Sequence, residues 1–144
     1  MASWDVIVAG AGNAGLCAAH AARERGARVL VLEKADEAWS GGNSAFTAGA
    51  IRFAHGGLMD VRSLVEEDER LAATDLDPYN AEDFAADLRR VTLGRGDEAM
   101  ARVLAGDSAA AVRWLLFFHN YPGGSGLTAG AVYGRRAGYS AAER

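Results

Sequence analysis

Val6-Ile7-Val8-Ala9-Gly10-Ala11-Gly12-Asn13-Ala14-Gly15 is the stretch on which the reading turns. Its first half, entered from Asp5, is a short apolar run rich in β-branched residues, the pattern of a strand buried on both faces. From Asn13 to Arg25 alanine, leucine and charge take over, without proline and with glycine only at Gly15 in the first turn, so a helix is expected. Gly26 supplies its stop. Arg28-Val29-Leu30-Val31-Leu32 is a second buried strand, closed by Glu33. Strand, helix and strand together have the length of one parallel βαβ crossover.

The turn leaving the first strand matches G-x-G-x-x-G, in the strand-to-helix context that gives this short pattern its meaning. Gly10 permits the sharp turn, Gly12 lets backbone approach a pyrophosphate, and Gly15 lets helix and strand pack closely. Ala11, Asn13 and Ala14 complete the cradle, because N–H groups and the positive end of the helix dipole converge there on phosphate oxygens. Ala14, Ala18 and Ala22 recur every fourth residue and predict a small-residue face for close packing on the sheet. Glu33 lies 23 positions after Gly10, near the spacing of the acidic residue that binds the ribose hydroxyls of an adenosine. Its charge would repel a 2′-phosphate, which disfavours NADP.

FAD and NAD share that cradle. The discriminating stretch is Ser40-Gly41-Gly42-Asn43-Ser44-Ala45-Phe46-Thr47-Ala48-Gly49-Ala50, inside a segment, 35–57, that is poor in bulky apolar residues and reads as a functional loop. A ribityl chain and isoalloxazine ring extending beyond the pyrophosphate need more backbone approach and small hydroxyl side chains. Gly41, Gly42, Ser44, Thr47 and Gly49 provide both. An NAD enzyme would continue with another buried helix and strand, so an NAD-dependent dehydrogenase is the weaker reading.

V-A-G-A-G-N-A-G, then L-E-K, then G-G-N-S-x-x-T-A-G-A resembles the fumarate reductase/succinate dehydrogenase flavoprotein superfamily. Within it, Gly41 to His55 is most similar to the FAD-dependent tricarballylate dehydrogenases. The resemblance covers Asp5 to about Trp114. It implies an incomplete α/β FAD/NAD(P)-binding domain, with a Rossmann-like βαβ unit followed by a mainly helical segment, and an oxidoreductase acting at a CH–CH bond of a di- or tricarboxylate. It implies FAD contacts at Gly10, Gly12, Gly15, Glu33, Lys34, Asn43, Ser44, Thr47 and Gly49. Some members bond the flavin covalently through a His where this chain has Asn43, so the FAD is expected to be non-covalent. Members are much longer, with an inserted capping domain, later Arg and His residues for substrate, and a return strand bearing a Gly-Asp pair. The chain is therefore expected to be an amino-terminal fragment, and a non-catalytic nucleotide-binding remnant is a further alternative.

Three regions are expected: the FAD-binding unit and flavin loop at 1–57, a helical continuation at 58–120, and an irregular tail at 121–144 that fits the family poorly. In the second, Asn80 is a candidate N-cap with Glu82 and Asp83 behind it. Gly96-Asp97 and Gly106-Asp107 read as stop-and-start signals, with Ser108 capping a further helix. His20, His55 and His119 read as surface, structural and helix-end residues. The acidic run Glu66-Glu67-Asp68-Glu69 reads as a solvated face. No catalytic residue is nominated.

Composition narrows the partners. Net charge is −4 and basic residues are scattered, with Arg135-Arg136 the densest pair, which speaks against a general nucleic-acid surface. The single cysteine, Cys17, excludes an internal disulfide and a four-thiolate metal site, and reads as a small buried apolar residue. No apolar run has the length of a membrane span. The strand begins too early for a signal peptide, so a cytoplasmic location is expected. A small carboxylate substrate and a separate electron acceptor are the expected partners.

Overall fold

A computed structural model describes residues 3–46, 51–65, 69–116 and 125–143. The chain divides into two compact units, Met1–Arg52 with Asn120–Arg144, and Phe53–His119.

The first unit is the predicted βαβ. Strand β1 (Val6–Ala9) and strand β2 (Val29–Leu32) pair in parallel, Val6 with Val29 through Ala9 with Leu32, and helix α1 (Asn13–Glu24) connects them. Gly26, at φ +81°, turns the chain out of α1 as expected. The expectation of strands buried on both faces is corrected. Val8 is buried, whereas Ile7 is 61% and Leu32 52% exposed. The first strand alternates in burial, while Val29, Leu30 and Val31 of the second are all part-exposed, so neither strand is buried on both faces; short apolar runs do not distinguish these cases.

The tail is not irregular where it is described. Ser125–Ala142 forms an 18-residue helix, α6, packed along α1. A Cβ on Gly134 would overlap the Ala14 carbonyl oxygen and lie 3.0 Å from Cys17 Cβ, and one on Gly138 would overlap the Ala18 carbonyl oxygen. Gly130 faces the Asn13 side chain and the Ala14 backbone nitrogen, so the helices run parallel with glycines every fourth residue lying against α1. The small-residue face of Ala14 and Ala18 thus receives another helix where the sheet was expected. At the far end Arg25 binds Glu143 (2.6 Å) and lies over the Tyr139 ring, whose hydroxyl donates to Glu24.

The segment after β2 is not without structure: Glu37–Trp39 and Gly42–Phe46 are 3₁₀ turns.

The second unit is helical: α2 (Leu58–Arg62), α3 (Glu69–Ala72), α4 (Ala81–Val91) and α5 (Glu98–Leu116). Asn80 caps α4 as predicted, accepting from the Glu82 and Asp83 N–H groups while Asp83 reciprocates to the Asn80 N–H, a complete capping box. Asp97 accepts from the Ala99 and Met100 N–H groups and so starts α5. Gly106-Asp107, by contrast, interrupts nothing. The helix runs through, and Ser108 lies fully buried inside it rather than at a cap. Its hydroxyl donates to the Ala105 carbonyl (2.8 Å) and accepts from the Ala54 N–H (2.9 Å). Burial of a hydroxyl with both roles filled has overridden the local Gly-Asp-Ser capping signal.

Candidate cofactor site

The turn between β1 and α1 is built from backbone. Gly10 has φ +101°, a left-handed region that a β-carbon disfavours. Gly15 lies directly over that turn: a Cβ there would overlap the Gly10 carbonyl oxygen and come within 3.3 Å of Val8 Cγ1. Gly12 is the N-cap of α1 and contributes no side-chain cap, and no acidic residue stands in the first helical turn. The positive end of the dipole is therefore left for an anion.

Glu33 joins the end of β2 to this turn. Its Oε2 accepts from the Ala11 N–H at 2.7 Å, and its Oε1 from the Ala35 N–H at 2.8 Å. The N–H groups of Ala35 and Ala11, followed by the N–H and charge of Lys34, hold its carboxyl below the ordinary glutamate range. An ionised carboxylate is thus fixed beside the glycine turn, where the ribose acceptor of an adenosine belongs.

The second glycine segment reaches the same place. Ser44 Oγ accepts from the Asn13 N–H at 3.0 Å, at the first residue of α1. A Cβ on Gly12 would meet the Gly41 carbonyl oxygen at 3.5 Å and Ser44 Oγ at 3.8 Å. Gly41 and Gly42 both take positive φ, which folds the segment into the 3₁₀ turn carrying Asn43 and Ser44. The structure therefore brings together Gly10, Ala11, Gly12, Asn13, Gly15, Glu33, Gly41 and Ser44. Ala14 follows in the first turn of α1, Lys34 and Asn43 are exposed nearby in sequence, and Thr47 and Gly49 lie outside the described residues.

Cys17 is buried on α1, its thiol directed at Asn13 Oδ1 (3.6 Å), and burial pushes its pKa up to about 11. It is an apolar spacer and not a nucleophile. His20 is exposed on α1. His55 belongs to the other unit, bridged to Tyr79 backbone and ringed by Phe53 and Tyr79. His119 and 66–68 lie outside the described residues. Among the described residues no cluster of His, Cys, Asp or Glu is placed to hold a metal ion, and no helix is long and apolar enough to cross a membrane.

Residues 5–144 match the family model described as FAD binding domain. The chain belongs to that family. The match includes the tail that was expected to fit poorly, and it overturns the NAD reading in favour of FAD. Digoxin reductase of Eggerthella lenta is 37% identical over 112 residues, covering 78% of this chain and 18% of that protein. Probable fumarate reductase Ifc3 of Shewanella frigidimarina is 34% identical over 111 residues, covering 77% of this chain and 16% of that protein. The open conformation of a flavocytochrome c3 fumarate reductase superposes with a TM-score of 0.60 at 26% identity, covering 92% of this chain and 24% of the other. The curated relatives are reductases, and the chain spans less than a fifth of their length.

The residues present fit FAD. Bare backbone at Gly12, faced by the Gly41 carbonyl oxygen and Ser44 Oγ and standing beside an ionised carboxylate, is suited to a dinucleotide with a vicinal diol. What sequence reasoning missed is α6. The signal was present in the spacing Gly130, Gly134, Gly138, but an apolar period was sought where the repeating feature is the absence of a side chain.

Proposed function

We propose that this chain is the Rossmann-like, adenosine- and pyrophosphate-holding part of a flavoprotein oxidoreductase related to the fumarate reductases, with FAD bound non-covalently. The observation that carries this reading is the convergence of two glycine segments on the start of α1, through Glu33 to Ala11 and Ser44 to Asn13. Ala11, Gly12 and Asn13 would lie along the pyrophosphate, Glu33 would accept from the ribose hydroxyls, and Gly41 to Gly49 would line the path to the flavin. Asn43 replaces the nucleophilic imidazole that a covalent link requires. Bound FAD supplies a ring able to exchange a hydride with a substrate carbon. The chain's own residues orient it and keep bulk away from the glycine turn.

The substrate is a separate matter. The two curated relatives are named for different substrates, digoxin and fumarate, yet both match the segment seen here. The shared segment therefore serves the cofactor, and substrate choice belongs to other parts of such enzymes. A di- or tricarboxylate is our proposal, supported by the likeness of Gly41–His55 to tricarballylate dehydrogenases and by the fumarate reductase relatives. In this reading residues 1–57 hold the cofactor and 58–120 continue the domain.

The test is reconstitution of the 144-residue chain with FAD, followed by gel filtration, with circular dichroism on the same sample. Yellow protein that releases all its flavin on denaturation is the expected result. A chain of native helical content that stays colourless, or one that binds NAD and not FAD, would refute the proposal.

A further inference from the structure

We infer that Gly130 on α6 is a positioning residue for the cofactor cradle, so that a helix more than a hundred residues away in sequence sets FAD affinity. This rests on the FAD reading above. Gly130, Gly134 and Gly138 of α6 all abut α1, but they do not abut equivalent things. At Gly134 and Gly138 the neighbours that a Cβ would strike are the carbonyl oxygens of Ala14 and Ala18, fixed parts of the helix. At Gly130 the nearest atom is the end of a side chain, Asn13 Nδ2 at 2.6 Å, with the Ala14 backbone nitrogen at 3.2 Å.

Asn13 is the first residue of α1, and its surroundings fix it from several sides. Its N–H donates to Ser44 Oγ, its Oδ1 accepts from the Cys17 thiol, and its Nδ2 faces the bare backbone of Gly130. A methyl group at 130 makes two demands: the Asn13 carboxamide must swing away, and the Ala14 backbone nitrogen, at 3.2 Å in the first turn of α1, must give by a few tenths of an ångström. That turn is the part of the helix whose N–H groups would meet the pyrophosphate, and shifts of a fraction of an ångström there cost binding. Gly138 lies two turns further along the helix pair, against Ala18 and Ala21. A methyl there separates the helices at a point remote from the cradle. The two ends therefore divide by role: Gly130 serves the site and Gly138 the packing, with Gly134, against the Ala14 carbonyl, between them.

The experiment compares Gly130→Ala and Gly138→Ala in the full chain, reading FAD dissociation constant by quenching of flavin fluorescence, melting temperature by circular dichroism, and hydrogen exchange at the Asn13 amide. Gly130→Ala is expected to bind FAD about tenfold more weakly, to exchange the Asn13 amide faster, and to melt near the wild type. Gly138→Ala is expected to melt lower while its folded fraction binds FAD as the wild type does. If Gly138→Ala does not fold, Arg25→Ala takes its place, since it loosens the same distal end more gently by removing the contacts to Glu143 and Tyr139. Wild-type affinity in Gly130→Ala overturns the inference, as does weakening that merely follows lost stability in both variants. Folded wild type that binds no FAD defeats the cofactor reading itself, a result distinct from either.

Discussion

Two helix pairs in this molecule are held together by opposite means. The α1–α6 pair meets backbone to backbone, with glycines seated on carbonyl oxygens and the buried side chains no larger than Val132. In the other unit α4 and α5 rely on side chains: Phe84 is buried and Arg89 reaches Glu98 at 2.9 Å, while the Ser108 hydroxyl ties α5 to the Ala54 N–H. Close backbone approach brings two rigid rods to a fixed distance, which suits a cradle whose geometry must match a cofactor. Side-chain packing gives a more forgiving interface, and neither α4 nor α5 is proposed to touch the cofactor.

The largest effect should come from breaking the first pair at its centre. Gly134→Ala drives a methyl into the Ala14 carbonyl oxygen and against Cys17. Backbone cannot step aside as a side chain does, so destabilisation of about 3 kcal/mol is expected. Urea unfolding with circular dichroism measures it. A change within about 0.5 kcal/mol would show that the helices slide apart freely and that the contrast drawn here is wrong.

The second unit is broken through a polar group. Ser108→Ala removes the acceptor for the Ala54 N–H and leaves that group without its partner in a part-buried place. About 1–3 kcal/mol is the expected cost. Ser108→Thr, which keeps the hydroxyl, separates loss of the bond from a change of packing. The two helices of each pair also differ in how a glycine behaves. Gly106 lies in α5 on an exposed face with nothing within 4 Å of a Cβ. Gly106→Ala should therefore stabilise the protein by about 0.5–1 kcal/mol, the opposite sign to Gly134→Ala. Equal signs would mean that helix propensity, not contact, governs both.

How much of this was legible in the sequence follows from the same physics. The cradle was readable because each glycine there answers a local demand, a positive φ at Gly10 or a close crossing at Gly15, and local demands leave local patterns. Glu33 and Ser44 stand out in the sequence by spacing and chemistry, and the structure brings both to the start of α1. Helix α6 was not readable as apolar periodicity because its contact face is defined by hydrogen atoms on glycine. Ser108 was misread because a serine after Gly-Asp resembles a cap in one dimension, and its hydroxyl answers to the N–H of residue 54, more than a third of the chain away. The strands were misread as doubly covered because Ile7 and Leu32 are apolar whichever way they face.

The smallest effect expected is on acid stability, and it sharpens the comparison because it acts on the cradle unit's entrance rather than its packing. Asp5, just before β1, accepts from Arg28 Nε, Arg28 Nη2 and the Arg28 N–H, with the side-chain bonds contributing most, and its pKa falls from 3.8 to about 2. A carboxyl whose folded pKa is depressed stabilises the fold above its unfolded value and loses that contribution as pH falls through the folded one. The loss therefore lies between pH 3.8 and about 2. Glu33, lowered by the Ala35 and Ala11 N–H groups, acts in the same direction. Both carboxylates are exposed and screened by salt, so the change should be modest and should shrink at high ionic strength. Melting temperature should be flat near neutrality and fall below pH 4.5, where Glu33 begins to lose its contribution, and Asp5→Asn should flatten the part of that fall below pH 3.8. Because protonated Glu33 can no longer hold the Ala11 N–H as an ion, FAD affinity should decline over acid pH in Asp5→Asn as steeply as in the wild type. Loss of that decline in Asp5→Asn would place the pH sensitivity of the cradle at the Arg28 pair and not at Glu33.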